Sequence, residues 1–117
     1  MTDAKALTAR IRTDIRNAIK DPGDALHGLT ISVRYRTASC MQAIDIIVRG
    51  LPQDELLRPA DKRWGDRANR WTDRGRDISD RLHQLAAPGL DWASDRYSFC
   101  TITFDGLAAP WPRRTHA

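Results

Sequence analysis

The sequence predicts a single α+β domain, in which an antiparallel sheet of two hairpins carries its helices on one face. Three patterns predict this class: apolar residues at helical spacing near the start, two stretches of alternating apolar and polar residues, and an amphipathic stretch between them. A chain of 117 residues can bury one core without metal or disulfide staples. The predicted order is αββαββ, with the domain over residues 1–106 and an irregular, proline-rich tail over 107–117.

A first helix is predicted from Thr2 to Lys20. Its apolar residues recur at spacings of three and four and so form one stripe, which comprises Leu7, Ile11, Ile15, Ala18 and Ile19. Three arginines, Arg10, Arg12 and Arg16, lie off that stripe. Thr2 or Asp3 can cap the start of the helix. Pro22 marks its end, because proline cannot continue a helix and disfavours helix at the preceding residue.

The stretch from Leu29 to Gly50 predicts the first hairpin. Successive side chains of a strand point to opposite faces, so we expect one set to pack under the first helix: Ile31, Val33, Ile44, Ile46 and Val48. The opposite set includes Arg34, Arg36, Asp45, Ile47 and Arg49. The connection, TASCMQ, has no Asn-Gly or Asp-Gly, and therefore a longer, looser loop is expected.

The region from Pro52 to Ala87 predicts interrupted helix. A short helical piece, PQDELLRP, precedes an apolar stripe at helical spacing that comprises Trp64, Ala68, Trp71, Gly75, Ile78, Leu82 and Leu85. One helix over residues 59–86 would be roughly 42 Å long, too long for this domain, so we expect a break near Gly65 or a separate piece before Trp71. The sequence APG at residues 87–89 is expected to end the helix.

The last predicted strand runs from Arg96 to Phe104. The preceding LDWA is expected to be its hairpin partner, with a turn at Ser94 and Asp95. In this strand Cys100, Ile102 and Phe104 share one face, and the other face carries Tyr97, Phe99, Thr101 and Thr103. If all strands join one sheet, Tyr97 and Phe99 share its open face with the arginines of the first hairpin.

Composition narrows the class of protein. No apolar run approaches the roughly 20 residues of a membrane span, so the expected protein is cytoplasmic and does not contact a membrane. The net charge is +4, and residues 29–51, with three basic groups and one acidic group, hold +2 of it. This excess is spread more thinly than in most nucleic-acid-binding proteins. The two cysteines, Cys40 and Cys100, form no zinc-binding spacing.

Short motifs in both predicted strands of the first hairpin suggest a family. The chain has Ser-Val-Arg at residues 32–34, Ile-Asp-Ile at 44–46, Gly-Leu-Pro at 50–52, and a later strand with Asp95, Tyr97 and Phe99. With this element order, it resembles the large polyvalent protein-associated domains of phage and mobile-element proteins. TASCMQ stands where the relatives have a glycine-rich loop. The resemblance implies a phage or mobile-element context and the same layout, and it supplies no catalytic residues.

The sequence gives little indication of a catalytic, metal-binding or phosphate-binding site. A nucleophile such as Ser39 or Cys40 has no neighbouring base, since His27 and His83 lie far away along the chain. Asp45, Asp91 and Asp95 do not lie within a nuclease motif that would bind magnesium, and the sequence has no phosphate-binding glycine loop. We therefore expect a protein that is not an enzyme and has no catalytic residues, metal site or cofactor.

The predicted function is that of a small binding module that acts through protein–protein interaction. The partner is expected to be a host protein or a second copy of the chain, bound in the cytoplasm of the host if the protein is phage encoded. The candidate contact residues are Arg34, Arg36, Arg49, Ile47, Tyr97, Phe99, Trp64 and Trp111. The alternative is nucleic-acid binding, because arginines and aromatic rings on an open sheet can hold phosphates and stack bases.

Overall fold

The computed structural model describes residues 4–59, 70–93 and 97–110. Within them the chain begins with helix α1 (Ala4–Lys20) and continues through strands β1 (Thr30–Ala38) and β2 (Met41–Arg49). Three helices follow, α2 (Gln53–Leu56), α3 (Asp73–Leu85) and α4 (Ala87–Trp92). Strands β3 (Ser98–Phe104) and β4 (Leu107–Ala108) come last. The α+β class is therefore correct.

The predicted antiparallel sheet of two hairpins is wrong. In the described residues the strands lie in the order β1-β2-β3-β4, and β2 pairs with β3 in parallel. Only the outer pairs, β1 with β2 and β3 with β4, are antiparallel. Two parallel strands require a long crossover between them, and the segment with α2, α3 and α4 provides it. The order αββαββ is corrected to two strands, three helices and two strands after α1.

The error arises at LDWA. This stretch was expected to pair with β3, but Leu90, Asp91 and Trp92 belong to α4. Pro88 lies in the first turn of that helix, where a backbone N–H has no hydrogen-bond acceptor within the helix. Proline, which lacks this N–H, is therefore tolerated there. APG therefore begins a helix directly after α3 ends, and a short apolar segment that fits either strand or helix becomes helical.

The connections at both ends of the sheet are tight turns. Ala38 pairs with Met41, so only Ser39 and Cys40 connect β1 to β2, and the expected long loop is wrong. Ser39 takes a positive φ of 52°, a conformation more typical of glycine or asparagine. At the other end, Asp105 and Gly106 turn the chain into β4, so the predicted irregular tail begins with a short strand.

The helices agree more closely with the sequence. α1 ends at Lys20, before Pro22, as predicted, while its proposed caps Thr2 and Asp3 lie outside the described residues. α3 begins only at Asp73, so Trp71 precedes this helix, whereas the expected break near Gly65 or separate piece before Trp71 falls outside the described residues. Thr72 caps α3 by accepting a hydrogen bond from the Gly75 N–H at 3.1 Å.

The core lies between the helices and one face of the sheet. Of the side chains predicted to face the helices, Val33, Ile44, Ile46 and Val48 are buried, and Ile31 at the edge of the sheet is partly buried. Trp71 is 2% exposed and packs against Phe104 with ring centroids 5.3 Å apart, which confirms it as a core residue. The strand parity inferred from the sequence is thus correct, and the described helices leave the second face of the sheet uncovered.

Candidate functional site

The open sheet face is the side of the sheet that the described helices leave uncovered. Strand register places six of the predicted contact residues on this face: Arg34, Arg36, Arg49, Ile47, Phe99 and, one residue before β3, Tyr97. The first residues of the tail do not cover it, because Ser79 of α3 donates a hydrogen bond to the Pro110 carbonyl on the helix side. The two other predicted contact residues, Trp64 and Trp111, lie outside the described residues.

One end of the open sheet face is apolar. Tyr97 is 52% exposed and Phe99 41%, and they are the only large hydrophobic residues of the described chain that are so exposed. The Gln42 N–H bonds the Tyr97 carbonyl, so Tyr97 lies beside Met41, while Phe99 is paired with Ala43. Ala43 itself is fully buried, and we call Met41, Tyr97 and Phe99 the aromatic patch. The sequence analysis missed Met41, although its strand parity could have identified it.

A polar row crosses the middle of the open sheet face. Asp45 of β2 forms an ion pair with Arg36 of β1 and accepts a hydrogen bond of 2.8 Å from Thr101 of β3. The hydrogen bond that Arg36 donates to Asp45, together with the charge of this carboxylate, raises the pKa of Arg36 above its usual value. Asp45 therefore joins three strands and neutralises Arg36.

The remaining two arginines of the face have no such partner among the described residues. Arg34 and Arg49 are exposed, and neither has a carboxylate within ion-pair distance in the described part of the chain. Arg49 makes only a long contact of 3.4 Å with the Ser32 hydroxyl. Two unneutralised guanidinium groups are thus available to an anionic partner.

A basic groove adjoins this face between α1 and the outer strand β1. It has a volume of about 440 Å³, and the residues that line it are Arg12, Ile15, Arg16, Ile19, Ile31, Ser32, Val33, Arg34 and Arg49. No acidic residue of the described chain lines it. The sequence analysis missed Arg12 and Arg16 as site residues, because helix periodicity shows only that they lie off the apolar stripe.

Neither of the described histidines, His27 and His83, is hydrogen-bonded to the candidate nucleophiles Ser39 and Cys40. Cys40 is exposed in the β1–β2 turn, whereas His83 on α3 lies against the Ser79 carbonyl, 2.7 Å away. Cys100 lines a small cavity together with His83, but burial and the Asp45 charge raise the pKa of its thiol to about 11. At neutral pH this thiol is protonated and a poor nucleophile. Among the described residues no group of three or more side chains could hold a metal ion.

In comparisons with protein-family models, curated proteins and solved structures, nothing matched this chain. The resemblance to large polyvalent protein-associated domains therefore stays a hypothesis that depends on the short motifs alone. None of the helices in the described ranges has the length and apolar character required to cross a membrane.

Proposed function

We propose that this protein is a non-enzymatic binding module whose open sheet face contacts another protein. The observation that carries the proposal is the aromatic patch, where Tyr97 and Phe99 expose their rings on the same sheet face as the unneutralised Arg34 and Arg49. Tyrosine, phenylalanine and arginine are enriched in protein interfaces, and the first two bury a large area at a low cost in side-chain entropy. A cytoplasmic setting is part of this proposal, supported by the free thiols of Cys40 and Cys100.

The charges of the open sheet face favour a particular kind of partner. Asp45 is already engaged by Arg36 and Thr101, so Arg34 and Arg49 determine the charge that a partner meets. We therefore propose a partner with an apolar patch flanked by carboxylates, such as a host protein that a phage or mobile-element product would bind. The aromatic patch would supply most of the affinity, and the arginines would set orientation and rate of association.

Single-stranded nucleic acid is the second candidate. The presence of exposed rings and arginines on one sheet face favours it, since bases can stack on Tyr97 and Phe99 while phosphates contact Arg34 and Arg49 farther along the face. The two candidates differ in salt dependence. Release of counterions makes oligonucleotide binding fall steeply between about 50 and 200 mM salt, whereas an interface dominated by the aromatic patch is less sensitive.

The test compares captured partners between variants. Proteins cross-linked to the wild type in a host lysate are identified, purified and titrated against the wild type, Phe99→Ser, Tyr97→Ser and Arg10→Ser. Arg10 is an exposed α1 residue outside both surfaces and serves as the control. We expect each aromatic substitution to raise the Kd by about tenfold or more and the control to leave it within about twofold.

Two outcomes would overturn the protein-binding proposal. One is a set of captured proteins whose Kd values do not respond to Phe99→Ser or Tyr97→Ser in variants with unchanged circular dichroism. The other is tight, salt-sensitive binding of an oligothymidine that both substitutions abolish, which would establish the nucleic-acid candidate instead.

A further inference from the structure

In the described part of the chain, no strand pairs with the outer edge of β1. In a hairpin with a two-residue turn, the two residues that flank the turn form a hydrogen-bonded pair. The backbone N–H and C=O groups of Ala38, and of every second residue before it, therefore bond to β2. The intervening residues, Ile31, Val33 and Tyr35, consequently direct their backbone N–H and C=O groups outward. The Arg12 side chain confirms this direction, because its Nη2 donates to the Val33 carbonyl at 2.7 Å. No other described group bonds these outward N–H and C=O positions.

The basic groove runs along this edge and has two kinds of lining. Its apolar side chains come from the inward faces of α1 and β1 and are Ile15, Ile19, Ile31 and Val33. Its basic side chains are Arg12 and Arg16 of α1, Arg34 of β1 and Arg49 of β2. An extended chain in the groove would point alternate side chains toward the apolar residues and toward the guanidinium groups.

We propose that the basic groove binds an extended segment of a partner protein, alternately apolar and acidic, which pairs with β1 as an additional strand. Main-chain hydrogen bonds to Ile31, Val33 and Tyr35 would supply affinity, and carboxylates facing the arginines would supply specificity. Arg12 blocks the Val33 carbonyl in the free protein. An incoming N–H would take over this acceptor and release the Arg12 guanidinium to bind a carboxylate of the segment.

Two other occupants fit the groove less well. Nucleic acid lacks the alternating backbone donors and acceptors that β1 presents, and no aromatic side chain lines the groove in the described chain. A second copy of β1 carries Arg34 and Arg36 and no carboxylate, so it would oppose arginine with arginine. This site is separate from the aromatic patch, although the basic groove and the open sheet face share Arg34 and Arg49.

The experiment uses fluorescence anisotropy with a labelled peptide of alternating valine and glutamate at about 50 mM salt. Three matched probes accompany it: the same peptide with lysine for glutamate, one with N-methyl groups on its edge-facing amides, and an oligothymidine. The full chain is compared with Arg12→Ser, Arg16→Ser, Phe99→Ser and, as the control on the same helix, Arg10→Ser.

We expect the valine–glutamate peptide to bind, and the lysine and N-methyl peptides to bind at least about tenfold more weakly. Arg12→Ser and Arg16→Ser should each raise the Kd by about fivefold or more, whereas Arg10→Ser and Phe99→Ser should leave it within about twofold. In a second measurement, the peptide should slow hydrogen exchange at the amides of Ile31, Val33 and Tyr35. That readout does not depend on any variant being folded.

The proposal fails if the peptide does not bind at about 1 mM, or if N-methylation leaves the Kd unchanged. It also fails if the oligothymidine binds while the peptides do not, and Arg12→Ser weakens the binding of the oligothymidine. Because Phe99→Ser affects only the aromatic patch, these results are independent of those that decide the proposed function.

Discussion

Asp24 shows how a single carboxylate connects distant parts of the chain. It lies between α1 and β1, its side chain is 6% exposed, and Arg81 of α3 donates to it through Nε at 3.0 Å and Nη2 at 2.9 Å. Burial alone raises the pKa of Asp24, but the hydrogen bonds from Arg81 and the Leu26 N–H, with the Arg81 charge, lower it by more. The pKa of Asp24 therefore lies below its ordinary value.

A depressed pKa makes the contribution of Asp24 to stability dependent on pH. The contribution is fully present above the unfolded pKa, about 3.9, and is lost as the pH falls through the lower folded pKa. We expect Asp24→Asn to lower the free energy of unfolding by about 2 kcal/mol at pH 7, and by less below pH 4. Urea denaturation at both pH values measures the difference.

The control for this prediction is Asp91→Asn, which alters an exposed carboxylate of α4. It should change the free energy of unfolding by less than about 0.5 kcal/mol at either pH. An Asp24→Asn variant as stable as the wild type at pH 7 would show that the ion pair with Arg81 contributes nothing.

Residue by residue, the open sheet face was predictable and the basic groove was not. Strand alternation is a local property, so it assigned Arg34, Arg36, Arg49, Ile47 and Phe99 to one face correctly. The groove depends on how α1 lies against the edge of β1. That arrangement is tertiary, and no spacing within the helix reveals that Arg12 contacts the Val33 carbonyl.

At the scale of elements, α2 and α3 approach each other closely at Gly75. A Cβ at this position would lie 2.9 Å from Cε3 of Trp71 and 3.0 Å from the backbone oxygen of Leu56. Trp71 is held by its contact with Phe104, and Leu56 by the hydrogen bond that its carbonyl accepts from the Thr72 N–H. Neither neighbour can move aside easily.

Gly75→Ala should therefore destabilise the protein, even though alanine is the better helix former by about 1 kcal/mol. We expect the free energy of unfolding to fall by about 1–2 kcal/mol, because the new methyl group overpacks the junction of α2, Trp71 and α3. Chemical denaturation monitored by tryptophan fluorescence measures the change. An unchanged or higher stability would mean that the junction can expand without strain.

Gly23→Ala provides the matched control. A Cβ at Gly23 meets only Asp21 Oδ1 at 3.5 Å, an ordinary contact, and the residue lies in a turn outside the core. Its effect should stay within about 0.5 kcal/mol of the wild type.

Element types were more predictable than their pairing. The stripe of α1 and the alternation of β1, β2 and β3 are strong local patterns, and each forms the predicted element. The antiparallel two-hairpin sheet was wrong because Leu90 and Trp92 carry no pattern that separates strand from helix. The tight turn was missed because Ser39 adopts a positive φ without the glycine or asparagine that signals it.

At the scale of the whole molecule, folding concentrates a charge that the sequence spreads out. Residues 1–28 carry five basic and four acidic groups. Because these charges nearly cancel, the sequence does not show that Arg12 and Arg16 contribute to a basic site. The fold brings these two beside Arg34 and Arg49, with no acidic lining residue in the described chain. The thin charge excess of the sequence therefore underestimates the local positive potential at the edge of β1.

This concentration of charge bears on self-association, which the sequence left open. The outer edge of β1, which no described strand covers, could pair with that of a second copy into one continuous sheet. A two-fold axis, however, would bring Arg34 and Arg36 close to the same residues of the other copy, and Arg12 and Arg16 would add to the repulsion. Two open sheet faces would likewise oppose Arg34 and Arg49 without a free carboxylate.

We therefore expect the purified protein to be monomeric. Light scattering after size exclusion at about 50 mM salt should give the mass of one chain, because arginines at both surfaces repel a second copy. About 1 M salt screens this repulsion and is the condition in which a weak dimer through the aromatic patch would first appear. A stable dimer at low salt that Arg34→Ser does not strengthen would contradict this expectation, and it would make a second copy the partner of the open sheet face.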